Sequence, residues 1–198
     1  MSTQANPTRV LVLGCGSVAQ CVIPLLIRDL KIATSSITIV DFVDNRHRVA
    51  DAIKQGVKYE IGQVTRENLD SFLAERLAAG DILLDLAWNI DCPTILEWCR
   101  MRGVRYLNTS VELWDPYYDM AATKPLDRTL YVRHQSIRKM IAKWGSNKGP
   151  SAVVEHGANP GLVSHFAKQA LFEISNKILA DGRAGSRQSA IESALATE

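Results

Sequence analysis

The sequence predicts an α/β fold, a doubly wound and mostly parallel sheet with helices on both faces. Two patterns predict it. Short runs of branched apolar residues alternate along the 198 residues with stretches whose apolar positions recur every three or four residues, the order expected of strands joined by packing helices. The first run also ends in a glycine cluster that opens the first helical stretch, as a buried parallel strand should.

Residues 9–13 (RVLVL) give the first strand. Val18, Cys21, Val22, Leu25 and Leu26 then form the stripe of a helix lying on the sheet. Pro24 stands about two turns into that helix, where it removes a backbone bond and costs about 3 kcal/mol unless the helix kinks. Residues 37–40 (ITIV) give a second strand, stopped by Asp41. Residues 57–64 give a third, interrupted by Gly62. Leu69, Phe72, Leu73 and Leu77 mark a helix with Thr65 as its N-cap and Gly80 as its close. Residues 82–87 form the fourth strand and 93–102 a short helix ending at Gly103. Residues 104–111 give the fifth strand, followed by a helix faced by Leu130, His134, Ile137, Ile141 and Trp144. Residues 151–155 give the sixth. Phe166, Ala167, Ala170, Leu171, Ile174 and Ile178 carry a last stripe almost to Leu179. A folded domain is therefore expected over 9–179, with a disordered N-terminus at 1–8. Over 180–198 the apolar residues thin out, and the expectation is a weakly ordered tail with a short helix at 189–195.

Hydrophobic residues make up 46% and charged residues 22%, which excludes a disordered or fibrous chain. Twenty-three Lys and Arg oppose 21 Asp and Glu for a net charge of +2, scattered rather than clustered, so nucleic acid is not an expected partner. No apolar run approaches the roughly 20 residues that cross a bilayer, so no membrane association is expected. Residues 1–8 are too polar for a secretory signal, and the four cysteines lack CxxC spacing. They read as reduced thiols of a cytoplasmic protein. His156 and His165 lack a Cys or carboxylate at ligand spacing, so no metal site is expected.

Gly14-Cys15-Gly16-Ser17-Val18-Ala19 fits G-x-G-x-x-A, directly after the first strand and opening the first helix. The first glycine permits the tight turn, the second lets the backbone approach a pyrophosphate, and the small Ala19 lets helix and strand pack closely. The helix N-terminus then presents free N–H groups and a partial positive charge to the phosphates. Asp41 ends the second strand, where an acid accepts from ribose hydroxyls and repels a 2′-phosphate. The fold is thus Rossmann-like and NAD is favoured over NADP, although Arg46 and Arg48 keep NADP open. The alternatives are a glycine turn that only links strand to helix and an ordinary strand-ending acid.

Ligands in such sheets sit beyond the carboxyl ends of the strands. Trp88, Thr109 and Asn159 stand at three of those ends and could border the nicotinamide half. Glu112, two residues before Trp114, pairs an acid with an indole, which suits a cationic amine. A solvated acid beside a packed tryptophan is the alternative. Pro160 near a first helical position, with Asn159 before it, reads as the N-terminus of the last long helix. Cys15 reads as a small filler. No arginine stands convincingly at a strand's carboxyl end to hold a carboxylate substrate.

These segments also carry a resemblance. Val12-Leu13-Gly14-Cys15-Gly16-Ser17-Val18, Pro24-Leu25, Asn108-Thr109-Ser110-Val111-Glu112-Leu113-Trp114 and above all Gly157-Ala158-Asn159-Pro160-Gly161-Leu162-Val163-Ser164, followed by Phe166 and Lys168-Gln169-Ala170, resemble bacterial homospermidine synthase, within the saccharopine dehydrogenase-like group. The glycine loop is common to many families. The T-x-V-E-x-W and G-A-N-P-G-x-V-S segments are much more specific. The resemblance implies aminobutyl transfer between two putrescines to give sym-homospermidine and ammonia, with NAD recycled. It implies further that Glu112 contacts the cationic substrate, that Asn159 lies by nicotinamide and substrate, and that Gly14, Gly16, Ser17, Val18 and Asp41, with Trp88, Thr109 and Pro160, hold the cofactor. In that family a long second domain follows the helix after G-A-N-P-G and carries much of the amine pocket and the dimer contacts. A homodimer is thus expected of the full-length form, and the substrate domain is expected to be absent from these residues. The other functions to weigh are a saccharopine dehydrogenase-type NAD(P) oxidoreductase and a non-catalytic NAD-binding module.

Overall fold

The computed structural model describes residues 8–116, 118, 121–146, 148–159 and 161–195. The chain divides into two compact units, 1–155 and 156–198, so the division falls after the sixth strand and not at 179/180.

The first unit is a six-stranded parallel sheet of β1 (Val10–Leu13), β2 (Ile37–Asp41), β3 (Lys58–Ile61), β4 (Ile82–Asp85), β5 (Arg105–Asn108) and β6 (Ala152–Val153). Their order is β3-β2-β1-β4-β5-β6, with every pair parallel. β1 therefore has its successor on one side and β4 on the other, and the chain reverses its direction of progress there. β3, β4, β5 and β6 are shorter than their expected runs, which continue into the loops at the carboxyl edge, whereas β2 extends one residue further to include Asp41.

Side chains of a strand alternate between faces, and β1 shows what that does. Leu11 and Leu13 enter one core with Phe72, Leu73, Ile95, Leu96 and Ile137, from α3 (Leu69–Ala74), α4 (Cys92–Arg102) and α5 (Leu130–Ala142). Val10 and Val12 enter the other with Ala19, Ile23, Leu26 and Ala52, from α1 (Ser17–Arg28) and α2 (Ala50–Lys54). Helices thus cover both faces of the sheet.

The local signals act with some displacement. Asp91 caps α4, accepting from the Thr94 N–H at 3.0 Å, and Gly103 closes it at φ +72°. Thr65 caps a turn ahead of α3: its Oγ1 accepts from the Asn68 N–H at 3.3 Å while Asn68 Oδ1 accepts from the Thr65 N–H at 2.8 Å. The α3 helix itself starts at Leu69. In α1 the buried stripe is Ala19, Ile23 and Leu26, whereas Val18, Cys21 and Leu25 of the expected stripe are exposed. Pro24 stays inside α1 on the exposed side, where the carbonyl it leaves free can be hydrated. The short helical connection at 46–54, between β2 and β3, has no counterpart in the sequence expectations. At the N-terminus only Thr8 of residues 1–8 is described, and its hydroxyl accepts from Arg105 Nη2 at 3.4 Å.

The second unit pairs α6 (Leu162–Ala180) with α7 (Arg187–Leu195) around Ile178 and Ala190. Residues 187–195, expected within a weakly ordered tail, thus form a helix two residues longer than the one read from sequence, and Ala190 is fully buried. Gly161, at φ +127°, is the N-cap of α6 in place of Asn159. A Cβ on Gly161 would collide with the Gly157 backbone, which explains the glycine. Pro160 lies outside the described residues. Among the described residues no helix is long and apolar enough to cross a membrane.

Candidate functional site

At the carboxyl edge, where β1 leads into α1, the Gly14 N–H donates to the Val40 carbonyl at 2.8 Å and the chain turns at φ +88°. A Cβ here would lie 2.7 Å from the Leu86 carbonyl oxygen, so the turn presses on the end of β4. Gly16 is the opposite case. Its backbone is extended, at φ −84° and ψ −163°, and a Cβ would meet no protein atom within 4 Å. It borders a cavity of about 710 Å³ that also receives Gly14, Asp41, Arg48, Thr65, Trp88 and Trp114. Ala19 is fully buried under the loop, as close helix–strand packing requires.

Asp41 is 7% exposed, and its carboxylate is already engaged. It accepts from the Cys15 N–H at 2.7 Å, the Val43 N–H at 3.1 Å and Asn45 Nδ2 at 3.2 Å. The acid thereby ties the end of β2 to the glycine loop, and only its remaining acceptor capacity faces the cavity. Asp41→Asn would set an amide against one of these donors, and a stability loss of about 1 to 2 kcal/mol is expected. Urea unfolding of the two chains checks it. Cys15 Sγ is buried, and burial first, then the charge of Asp41, pushes its thiol up, which leaves a packing role. Burial likewise pushes Cys92 and Cys99 up to about 11 and about 12.

A buried polar network runs along the ends of β4, β5 and β6. The Tyr106 hydroxyl donates to Asp85 at 2.8 Å, and Asn108 Nδ2 donates to the Tyr106 oxygen at 3.0 Å and to the Ser110 carbonyl at 2.8 Å. Asn108 Oδ1 accepts from the Glu155 N–H at 2.8 Å. Glu155, at φ +56°, receives the Val111 N–H at 3.0 Å and contacts His134 Nε2. Burial, foremost, pushes the Asp85 carboxyl up to about 6, against the Tyr106 and Ala87 hydrogen bonds, and the charge of Glu112 adds to the rise. Glu112 itself accepts from the Ser110 hydroxyl at 2.6 Å.

The structure thus brings Gly14, Gly16, Asp41 and Trp88 together on one cavity wall. Ser17, Val18, Thr109 and Glu112 are not among the residues lining that cavity. Asn159 is exposed and belongs to the second unit. Sequence reasoning missed Asn45, Thr65 and Arg66 as lining residues, while Trp114, read there as the indole near Glu112, also lines the cavity. The first three follow the ends of β2 and β3, so applying the strand-end rule to those strands would have found them. Among the described residues no group of three or more His, Cys, Asp or Glu is placed to hold a metal ion.

The saccharopine dehydrogenase NADP binding domain model matches residues 10–153. The homospermidine synthase of Blastochloris viridis is 31% identical over 169 residues, covering 84% of this chain and 35% of that protein. The homospermidine synthase of Mesorhizobium japonicum is 30% identical over 172 residues, covering 85% and 35%. Among solved structures, the homospermidine synthase of Legionella pneumophila in complex with NAD superposes with a TM-score of 0.70 at 27% identity, covering 92% of this chain and 36% of that one. The apo saccharopine dehydrogenase (L-Glu forming) of Saccharomyces cerevisiae gives 0.54 at 21% identity, covering 85% and 32%, a likeness of fold. The chain spans about a third of the length of the curated relatives it matches.

Proposed function

The chain belongs to the saccharopine dehydrogenase NADP binding domain family, and from that premise we propose that it is the dinucleotide-binding part of a homospermidine synthase-type enzyme, with NAD as its cofactor and putrescine as the substrate of the whole protein. The observation that carries the reading is the pair of glycines at the cavity mouth. Gly14 is forced by its close approach to Leu86, and Gly16 leaves open space where a bulky backbone-proximal group, such as a pyrophosphate, fits. When bound, NAD supplies a hydride acceptor and, once reduced, a donor. Gly16, Ser17 and Val18 would hold its phosphates through backbone N–H groups, with Gly14 making the turn that lets them approach, Asp41 would hold its ribose, and Trp88 and Thr109 would stand on its nicotinamide side.

Asp41 supports NAD over NADP, since a 2′-phosphate would meet a carboxylate. Arg46 is occupied by Asp44 at 3.2 Å and by the Tyr59 ring, which leaves Arg48 on the cavity wall as the group that would receive a 2′-phosphate. Glu112 supports an amine substrate. Its charge is felt by Asp85, so two carboxyls share the edge of β4 and β5, and a cation there would relieve their repulsion. Relatives named homospermidine synthase cover about 85% of the chain, whereas the likeness to saccharopine dehydrogenase is one of fold.

Calorimetry of the purified chain with NAD and with NADP tests the cofactor, with tighter NAD binding expected. No binding of either would end the reading. Putrescine with NAD, followed by mass spectrometry for homospermidine, tests the activity. NAD binding without product from any amine would favour a binding module.

A further inference from the structure

A second cavity, of about 670 Å³, lies in the first unit and shares Arg66, Trp114 and Asp115 with the first. We propose that it is a binding site for a small organic carboxylate, held by the guanidinium groups of Arg66, Arg128 and Arg133. The proposal does not depend on the reading of the first cavity as a dinucleotide site.

Three separate segments deliver the arginines: the loop after β3, the 3-10 turn Pro125–Arg128, and the first turn of α5. A guanidinium carries five N–H donors, and here few are used. Arg133 Nη1 donates to the Val111 carbonyl at 2.7 Å, and Arg66 Nη2 donates to Asp115 at 3.1 Å. Arg128 Nε is buried and meets no acceptor among the described residues. A buried guanidinium donor without a partner is costly, and such a group calls for an anion or ordered water. The planar fork of arginine matches a carboxylate in particular.

The rest of the wall narrows the ligand further. Leu113, Trp114 and Val132 give an apolar side suited to a short hydrocarbon body, which inorganic phosphate lacks. Asp115 is neutralised by Arg66 and Asp127 is the other acid on the wall, so among the described residues three guanidinium groups face two carboxylates. A free amine would face three guanidinium groups. No sequence motif joins the three, because Arg66 is remote in the chain from Arg128 and Arg133 and only the fold brings them to one wall.

Calorimetric titration with succinate and, in a separate arm, with inorganic phosphate tests the site, each with and without saturating NAD. Saturable succinate binding that persists with NAD bound is expected, with phosphate weaker. Arg128→Met is expected to weaken succinate by about tenfold or more, with circular dichroism and NAD affinity unchanged. Should that variant fail to fold, Arg128→Lys keeps the charge, loses the fork, and is expected to weaken succinate measurably. Succinate binding that vanishes when NAD binds would place the anion on the glycine loop and overturn the proposal. So would equal binding by folded Arg128 variants, no binding, or phosphate binding tighter than succinate. A protein that takes succinate and no NAD would overturn the cofactor reading alone.

Discussion

Gly16→Val is expected to fold like the parent chain and to bind NAD about a hundredfold more weakly or not at all, a loss of roughly 3 kcal/mol. The extended backbone at Gly16 is open to any residue, and a side chain there meets no protein atom at its root, so folding has little to lose. The same open space borders the cavity, and a branched side chain would occupy what a pyrophosphate needs to reach the backbone. Gly14→Ala should behave in the reverse way. It combines a left-handed φ with a Cβ 2.7 Å from the Leu86 oxygen, so the turn must move away from β4, and a stability loss of about 2 to 4 kcal/mol is expected. Thermal unfolding and NAD calorimetry on both variants separate the two roles. Full NAD affinity in Gly16→Val would show that the glycine loop does not carry the phosphates.

That contrast also marks what was legible in the sequence. The glycine fingerprint could be read because its residues are local: strand, turn and helix follow within ten positions, and each glycine answers a constraint set by near neighbours. The packing face of α1 could not. Its twelve residues are apolar on more than one side, and two stripes fit the helical period equally well. Of the expected stripe of Val18, Cys21, Val22, Leu25 and Leu26, Leu26 is buried and Val22 packs on the core, but the demand for a small residue against the sheet places Ala19 inside and turns Val18, Cys21 and Leu25 outward. The helix at 50–54 was missed for a related reason, being too short to show a period. The cap of α6 has another cause, a close backbone approach that residue chemistry does not announce. Asn159 and Pro160 have the right chemistry, yet Gly161 takes the position because its approach to Gly157 leaves no room for a side chain.

At the site, single residues were readable and their couplings were not. Asp41 was expected to wait for a ribose, but its carboxylate is spent largely on Cys15, Val43 and Asn45, one of them 26 residues away. His134 read as one position on a helix face. It contacts Glu155, which in turn fixes Val111 beside Glu112, so a helix residue reaches the loop that carries the proposed amine contact. Pairings of this kind depend on strand order, and strand order is a tertiary fact.

Asp85→Asn is expected to stabilise the protein near neutral pH and to lose that advantage in acid. Burial holds the Asp85 carboxyl up to about 6 in the folded chain, whereas an unfolded aspartate titrates near ~3.9. Below about pH 4 both states keep the proton and the group costs nothing. Between about pH 4 and 6 the unfolded chain releases its proton while the folded chain holds it, so stability falls as pH rises. Above about pH 6 the penalty levels off at roughly 3 kcal/mol. An asparagine cannot ionise, and its carbonyl can still accept the Tyr106 hydroxyl. Its amide would face the Ala87 N–H, the longer contact at 3.3 Å, and that mismatch returns about 1 to 2 kcal/mol of the gain. Urea unfolding of parent and variant at several pH values therefore should show a difference that grows between pH 4 and 6 in favour of Asn, since titrating groups that do not feel the Asp85 charge cancel in the comparison. A difference that stays constant with pH would show that Asp85 does not titrate in this range. Asp85 directly precedes Leu86 and Ala87 of the cavity wall, so ligand binding by the variant can be compared with its stability. The same variant then separates stability from function: a more stable chain with weakened ligand binding identifies the charge as part of the site, and a more stable chain with unchanged binding confines Asp85 to the hydrogen-bond network of β4, β5 and β6.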